Sequence, residues 1–232
     1  MDTAALSRIK AVLLDAGGVL VLPDPSAFRA RLSRFGVVPD DASCYRAHYL
    51  GVAEIDRLGR KDYDAADRLI AGVLGVPDRH VESAVEAINL VYNGDPFVAI
   101  DGVAAQLRRL RAAGARLGIV SNANGQVEAE LLRHRICSRD GKDCAAVDVV
   151  IDSDVVGVEK PDPAIFALAV DALGLPAEHC VYLGDSVYFD VGGARAAGIE
   201  ALHVTPLGEC GVDDHAHVSS LREFVDDLLP AA

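Results

Sequence analysis

Residues 11–24 read AVLLDAGGVLVLPD. Four apolar residues run into Asp15, two glycines follow at Gly17 and Gly18, and apolar character resumes at Val19. A short apolar run that does not alternate is the pattern of a strand covered on both faces, as in a parallel sheet between helices. The carboxylate at its end stands where the chain leaves that sheet.

Four more runs read the same way: ARLGIVS (115–121), VDVVID (147–152), HCVYLGD (179–185) and EALHVT (200–205). Helical patterns lie between them. GVAAQLRRLRAAG ends at Gly114, PAIFALAVDALG opens on Pro163 and ends at Gly174, and DVGGARAAG ends at Gly198. Proline at a helix start and glycine just past its end is the expected asymmetry. Alternating strands and helices imply an α/β fold with a doubly wound parallel, Rossmann-like sheet.

Residues 22–97 depart from that alternation. PSAFRARLSRFG, DDASCYRAHYLGVAEID, YDAADRLIAGVLG and DRHVESAVEAINLVY all space apolar residues as helices do, and no convincing strand occurs. LPDP (22–25) and NGDP (93–96) punctuate the two junctions. The expected organisation is an α/β core of residues 1–21 and 98–232 with a small helical unit, 22–97, inserted after the first strand. RICSRDGKDC (135–144) reads as a polar loop.

Composition narrows the function. The 232 residues carry a net charge of −13, spread along the chain. Nucleic acid and anionic membranes both require basic patches, so neither is an expected partner. No apolar run reaches the length of a membrane span, and MDTAALSRIK has no apolar signal region, so a cytoplasmic protein is expected. Five cysteines, Cys44, Cys137, Cys144, Cys180 and Cys210, form no CxxC pair and read as reduced thiols; the nearby Cys137 and Cys144 could also pair or bind metal. The sequence does not set the oligomeric state, and a homodimer is compatible with it.

Open α/β sheets bind ligands beyond the carboxyl ends of their strands. The first strand ends in Asp15, the second in Ser121-Asn122 and the fourth in Gly184-Asp185-Ser186, while Lys160 precedes the helix after the third. Taken singly, each is a common turn or cap residue. Together they bring carboxylates, a hydroxyl, an amide and an ammonium to one crevice. Mg²⁺ takes one or two carboxylates and fills its shell with water and phosphate oxygens. Lysine and serine can bind the remaining phosphoryl oxygens, and a carboxylate can attack phosphorus.

The strings LLDAGGVL, IVSN, VGVEKPDPAIFALA and YLGDSVYFDVGGARAAGI resemble the haloacid dehalogenase-like hydrolases, and the resemblance covers the whole chain. It implies a nucleophile at Asp15, a group-binding hydroxyl at Ser121, a substrate contact at Asn122 and a steadying cation at Lys160. It also implies a Mg²⁺ ligand at Asp185, and at Asp190 a second carboxylate, either on the metal through water or orienting Lys160. Residues 22–97 stand where that family often carries a helical cap.

The departure lies at Gly17. The family's phosphatase motif is Asp-x-Asp-x-Thr, and its second aspartate protonates the leaving oxygen. Here the segment reads Asp15-Ala16-Gly17-Gly18-Val19. Gly17 can offer a backbone carbonyl to Mg²⁺ but no acid. Losing a positioned general acid costs about 10²–10⁴ in rate, less when the leaving group needs no proton. His48, Tyr45 and Tyr49 in the inserted segment are candidate replacements. The resemblance therefore implies a Mg²⁺-dependent phosphohydrolase acting on a small phosphorylated metabolite. Two alternatives are a dehalogenase or phosphonate-cleaving enzyme using the same Asp15, and a catalytically weak relative that binds a phospho-ligand or a partner. The segment's one lysine, Lys61, has the hydrophilic context of a solvated side chain rather than a Schiff base.

Overall fold

The structure is a computed structural model and describes residues 8–208 and 210–230. Ten strands occur among them: β1 (Ala11–Leu14), β2 (Val21–Pro23), β3 (Phe97–Ala99), β4 (Arg116–Ser121), β5 (Cys137–Ser138), β6 (Ala145–Ala146), β7 (Val149–Asp152), β8 (Cys180–Gly184), β9 (Glu200–Val204) and β10 (Ala216–Val218). Six form one sheet in the order β10-β9-β8-β1-β4-β7, and every neighbouring pair is parallel. From β1 the chain moves outward through β4 to β7, then returns to β8 on the other side of β1. The winding reverses between β1 and β8, the switch point at which α/β sheets bind ligands.

The expected five strands are present, and the sheet holds a sixth. β10 is only three residues long and carries His217, so neither length nor apolar character marked it. β2 and β3, paired with each other, lie at the edges of the segment expected to be helical throughout. They too are three residues each. β5, inside the expected polar loop of residues 135–144, forms a two-residue parallel ladder with β6 just beyond it.

The chain divides into two compact units, one reaching Val21 and resuming at Ala99, the other spanning Leu22–Val98. In the first, β1, β4 and β8 are buried almost end to end. Leu13, Val120, Phe166 and Tyr182 pack in its core, with Phe166 edge-on to Tyr182 at 5.0 Å between ring centres. In the second, helices Pro25–Leu32, Asp41–Leu58, Tyr63–Val73 and Val81–Gly94 bury Phe28, Leu32, Ile70, Ile88 and Val91. Asp24, Asp40 and Asp62 cap the first three, each accepting from a backbone N–H of the first turn. Part of the chain's acidity is thus committed to helix starts. Among the described residues no helix is long and apolar enough to cross a membrane.

Candidate active site

Asp15 leaves β1 at the sheet's carboxyl edge, and its N–H donates to Leu183 O at 2.9 Å. The register pairs Leu14 with Ile119 and with Leu183, so Asp15, Ser121 and Asp185 emerge from three adjacent strands at nearly one level. All three are buried, as are Lys160 and Asp190.

Lys160 organises the cluster. Its Nζ lies 3.0 Å from Asp15 Oδ1 and 2.6 Å from Asp190 Oδ1, and donates to Tyr182 Oη at 3.1 Å. Asp190 is engaged on both oxygens. Oδ1 also accepts from Tyr182 Oη at 2.9 Å, and Oδ2 accepts from the Ser186 N–H at 3.1 Å. Tyr182 further contacts Val120 O at 3.0 Å. Of the two roles left open for Asp190, this geometry matches orienting the lysine. Tyr182 was missed by the sequence reading, because a tyrosine inside an apolar strand looks like core.

Asn122, expected to contact substrate, is bonded to the Lys160 backbone. Its Nδ2 donates to Lys160 O at 3.0 Å, and its Oδ1 accepts from the Lys160 N–H at 2.7 Å. Both halves of the amide hold the lysine's backbone. Another carboxylate the sequence did not single out, Asp152 at the end of β7, accepts from the Gly125, Val127 and Asp154 N–H groups. It ties the loop after β4 to the neighbouring strand.

The route from Asp185 to Asp190 is a π-helical turn, Val187–Val191, capped by Ser186 Oγ accepting from the Phe189 N–H at 3.0 Å. Such turns re-aim side chains at functional sites. Gly184 is needed beside it, since a Cβ there would overlap the Asp190 carboxyl group. Of the two glycines after Asp15, only Gly18 is required by its surroundings. Gly18 has φ +66°, and a Cβ would overlap the Asp185 carboxylate. A Cβ at Gly17 would meet nothing within 4 Å.

Burial above all pushes the Asp15 carboxyl group up to about 7; Lys160 opposes this, while Asp190 and Asp185 add to it. Burial works against the Lys160 charge, but Asp15 and Asp190 outweigh it and hold the ammonium charged above the ordinary lysine range. Burial, then Asp190, raises Tyr182 well above the usual phenol, so it remains a donor. Asp15, Asp185 and Asp190 each place an oxygen within 4.8 Å of the others'. Three carboxylates against one ammonium leave an excess of negative charge in a buried spot. That arrangement fits a divalent hard cation.

His48, a candidate acid, is buried in the helical unit with Nδ1 3.2 Å from Tyr92 Oη. Lys61 is exposed and lies 5.5 Å over the Tyr63 ring, as a solvated lysine would. Cys137 and Cys144 are separate thiols, and Cys144 Sγ contacts Ser138 Oγ at 3.1 Å.

A sheet wound about β1, with a strand-end aspartate facing a buried lysine–aspartate pair, defines a class of hydrolase. The model of the haloacid dehalogenase-like hydrolases matches residues 9–198, and the chain belongs to that family. Among its relatives, a glyceraldehyde 3-phosphate phosphatase of Pyrococcus abyssi is 35% identical over 51% of this chain and 48% of its own. A phosphoglycolate phosphatase of Xanthomonas campestris is 38% identical over 49% of this chain and 48% of its own. The chain thus spans about half the length of the curated relatives it matches. A solved dehalogenase with an intermediate complex covers 97% of this chain and 99% of its own, at 21% identity and a TM-score of 0.63. At that identity the likeness is one of fold.

Proposed function

We propose that this hydrolase is a phosphohydrolase that transfers the phosphoryl group of a small metabolite to Asp15 and then to water. The observation that carries the reading is the Asp15–Lys160–Asp190 chain of contacts, closed by Tyr182 and buried beside Asp185. The names of the phosphatase relatives support the same reaction class.

Asp15 Oδ1 accepts from the Ala16 N–H at 2.7 Å and faces Lys160, which fixes the carboxylate plane. In this reading Oδ2 attacks phosphorus, the bond from phosphorus to the leaving oxygen breaks, and an aspartyl-phosphate forms. Water then attacks phosphorus, frees phosphate and restores Asp15. Lys160 neutralises phosphoryl charge, and the Ser121 hydroxyl holds a phosphoryl oxygen. Asp190, Tyr182 and Asn122 are positioning residues that hold Lys160. Asp15, Asp185 and the Gly17 carbonyl would hold Mg²⁺, which when bound neutralises charge on the transferring group. The inserted helical unit, Leu22–Val98, is the proposed cap.

Gly17 sets the leaving-group preference. With no acid side chain there, the first step favours groups that depart without a proton, such as acyl phosphates and anhydrides. The test is phosphate release from a panel of phosphorylated metabolites, with Mg²⁺ or EDTA, beside Asp15→Asn. Metal-dependent release abolished by the substitution supports the proposal. Halide release from haloacids that persists in EDTA would replace it with the dehalogenase reading.

A further inference from the structure

On the far side of β8, the sheet edge carries a second cluster. β9 and β10 pair in register, setting His203 directly beside His217. The connection between the strands brings in Cys210 and His215. One nitrogen of each histidine and the Cys210 sulfur all lie within 4.8 Å of one another. His203 and His215 are buried, Cys210 is half-buried and His217 is exposed.

The outer nitrogens decide what the inner ones can do. His203 Nε2 lies 3.1 Å from the Asp185 backbone O, which can only accept, so that nitrogen carries the hydrogen. His215 Nδ1 lies 2.7 Å from Asp214 Oδ1. Asp214 is an exposed carboxylate, so it too accepts. The lone pairs are therefore on His203 Nδ1 and His215 Nε2. These face each other at 3.3 Å, with Cys210 Sγ 3.6 Å from His215 Nε2. A cation placed among these groups would be met by both nitrogen lone pairs and by the sulfur.

The two closest spacings, 3.3 Å and 3.6 Å, match a particular cation. A tetrahedral zinc ion with Zn–N of about 2.0–2.1 Å and Zn–S of about 2.3 Å sets its nitrogens about 3.3–3.4 Å apart, and sulfur about 3.5–3.6 Å from nitrogen. Oxygen acceptors on the outer nitrogens are the usual support of metal-bound histidines. We propose that His203, Cys210, His215 and His217 form a four-ligand Zn²⁺ site, separate from the carboxylate site of Asp15. Four protein ligands close the shell, so the site is structural. It staples the edge strand β10 and the segment between β9 and β10 to the sheet. Through the His203–Asp185 contact it also braces the backbone that carries Asp185. Binding converts the Cys210 thiol, now 3.8 Å from Val212 O, to a thiolate and releases its proton.

The experiment uses the full chain, stripped with a chelator under reducing conditions and held in excess Mg²⁺ to fill the carboxylate site. It is titrated with Co²⁺, then with Zn²⁺ as competitor. The expected result is one equivalent of cobalt with the thiolate-to-cobalt charge-transfer band and the intense visible bands of a four-coordinate ion, all displaced by zinc. Cys210→Ser should lose the charge-transfer band. Asp214→Asn, which leaves all four ligands in place, should weaken zinc binding by about 10–100-fold. Circular dichroism checks that each variant is folded. A wild-type protein that shows no charge-transfer band overturns the proposal, and so does a band that survives in Cys210→Ser. Neither readout depends on phosphatase activity.

Discussion

The Asp185 carboxylate occupies the space in which a side chain of Gly18 would stand. Gly18 also has φ +66°, where an L side chain costs roughly 1–2 kcal/mol. Gly18→Ala is therefore expected to lower stability by at least that amount and, by displacing the Asp185 carboxylate, to weaken the proposed Mg²⁺ binding. Gly17→Ala, with open space around it, should stay within about 0.5 kcal/mol of wild type. Urea unfolding of both variants, with and without Mg²⁺, checks the contrast. Equal effects would remove the reason given for Gly18.

Open space at Gly17 also permits a gain of function. Gly17→Asp should raise kcat/KM for alkyl phosphates by about 10²-fold, the lower end of what a positioned acid contributes. Turnover of an acyl phosphate, whose leaving group needs no proton, should change little. Measuring the ratio of the two rates in both proteins decides whether the acid is missing or supplied elsewhere.

Lys160 is the cation buried among Asp15 and Asp190, and Lys160→Met leaves those carboxylates uncompensated. Breaking a buried pair in this way costs about 3–5 kcal/mol, so the variant should be markedly less stable at pH 8 and recover as the pH falls. Tyr182→Phe tests the positioning chain more gently. It removes the hydroxyl that touches Lys160, Asp190 and Val120 O, at about 1–3 kcal/mol. We expect kcat to fall while KM is little changed. A fall in stability with unchanged kcat would make Tyr182 a purely structural residue.

If Asp15 holds Mg²⁺ as proposed, then with its carboxyl group pushed up to about 7 the ion has to displace a proton below that pH. Apparent Mg²⁺ affinity should drop about tenfold for each pH unit below about 7 and level off above it. Calorimetry in buffers of different ionisation enthalpy should count about one proton released at pH 6 and almost none at pH 8. An affinity flat from pH 6 to 8 would contradict the raised Asp15.

Asp67, buried in helix Tyr63–Val73, is pushed up to about 7 by burial and then by Asp64. Its folded-state value lies above the unfolded one, so the native state holds the proton more tightly. Stability is full below about pH 4 and is lost as pH rises towards 7. Asp67→Asn should therefore stabilise the protein at pH 8, on the order of 2 kcal/mol after allowance for residual solvent contact, and change little at pH 4. Denaturant midpoints of both proteins at the two pH values measure the difference.

The sheet was legible because its central strands are long enough, and apolar enough on both faces, to stand out. AVLL, RLGIVS and CVYLG are buried end to end or nearly so. β2, β3 and β10 were not legible, because three residues carry no periodicity and pairing alone makes them strands. Asp15, Ser121, Lys160 and Asp185 could be picked out because strand ends in a doubly wound sheet converge wherever the loops lead. For Asn122 the family resemblance implies a substrate contact, and the fold adds a pair of hydrogen bonds from its amide to the Lys160 backbone. Tyr182 carries no sequence signal, since it matters through partners remote in the chain, while Asp152 ends its strand as Asp15 does and only the tertiary contacts show that it holds the loop after β4.

By itself, then, the sequence determined the layered α/β architecture, the inserted helical segment and which side chains end the strands, because periodicity and strand-end position are local properties of the chain. Only the tertiary structure decided which oxygen of Asp190 meets Lys160, why Gly18 has no side chain, and that His203 and His217 stand side by side across two strands. Those are distances between residues remote in sequence, and they are set by strand register and packing, which no local pattern encodes.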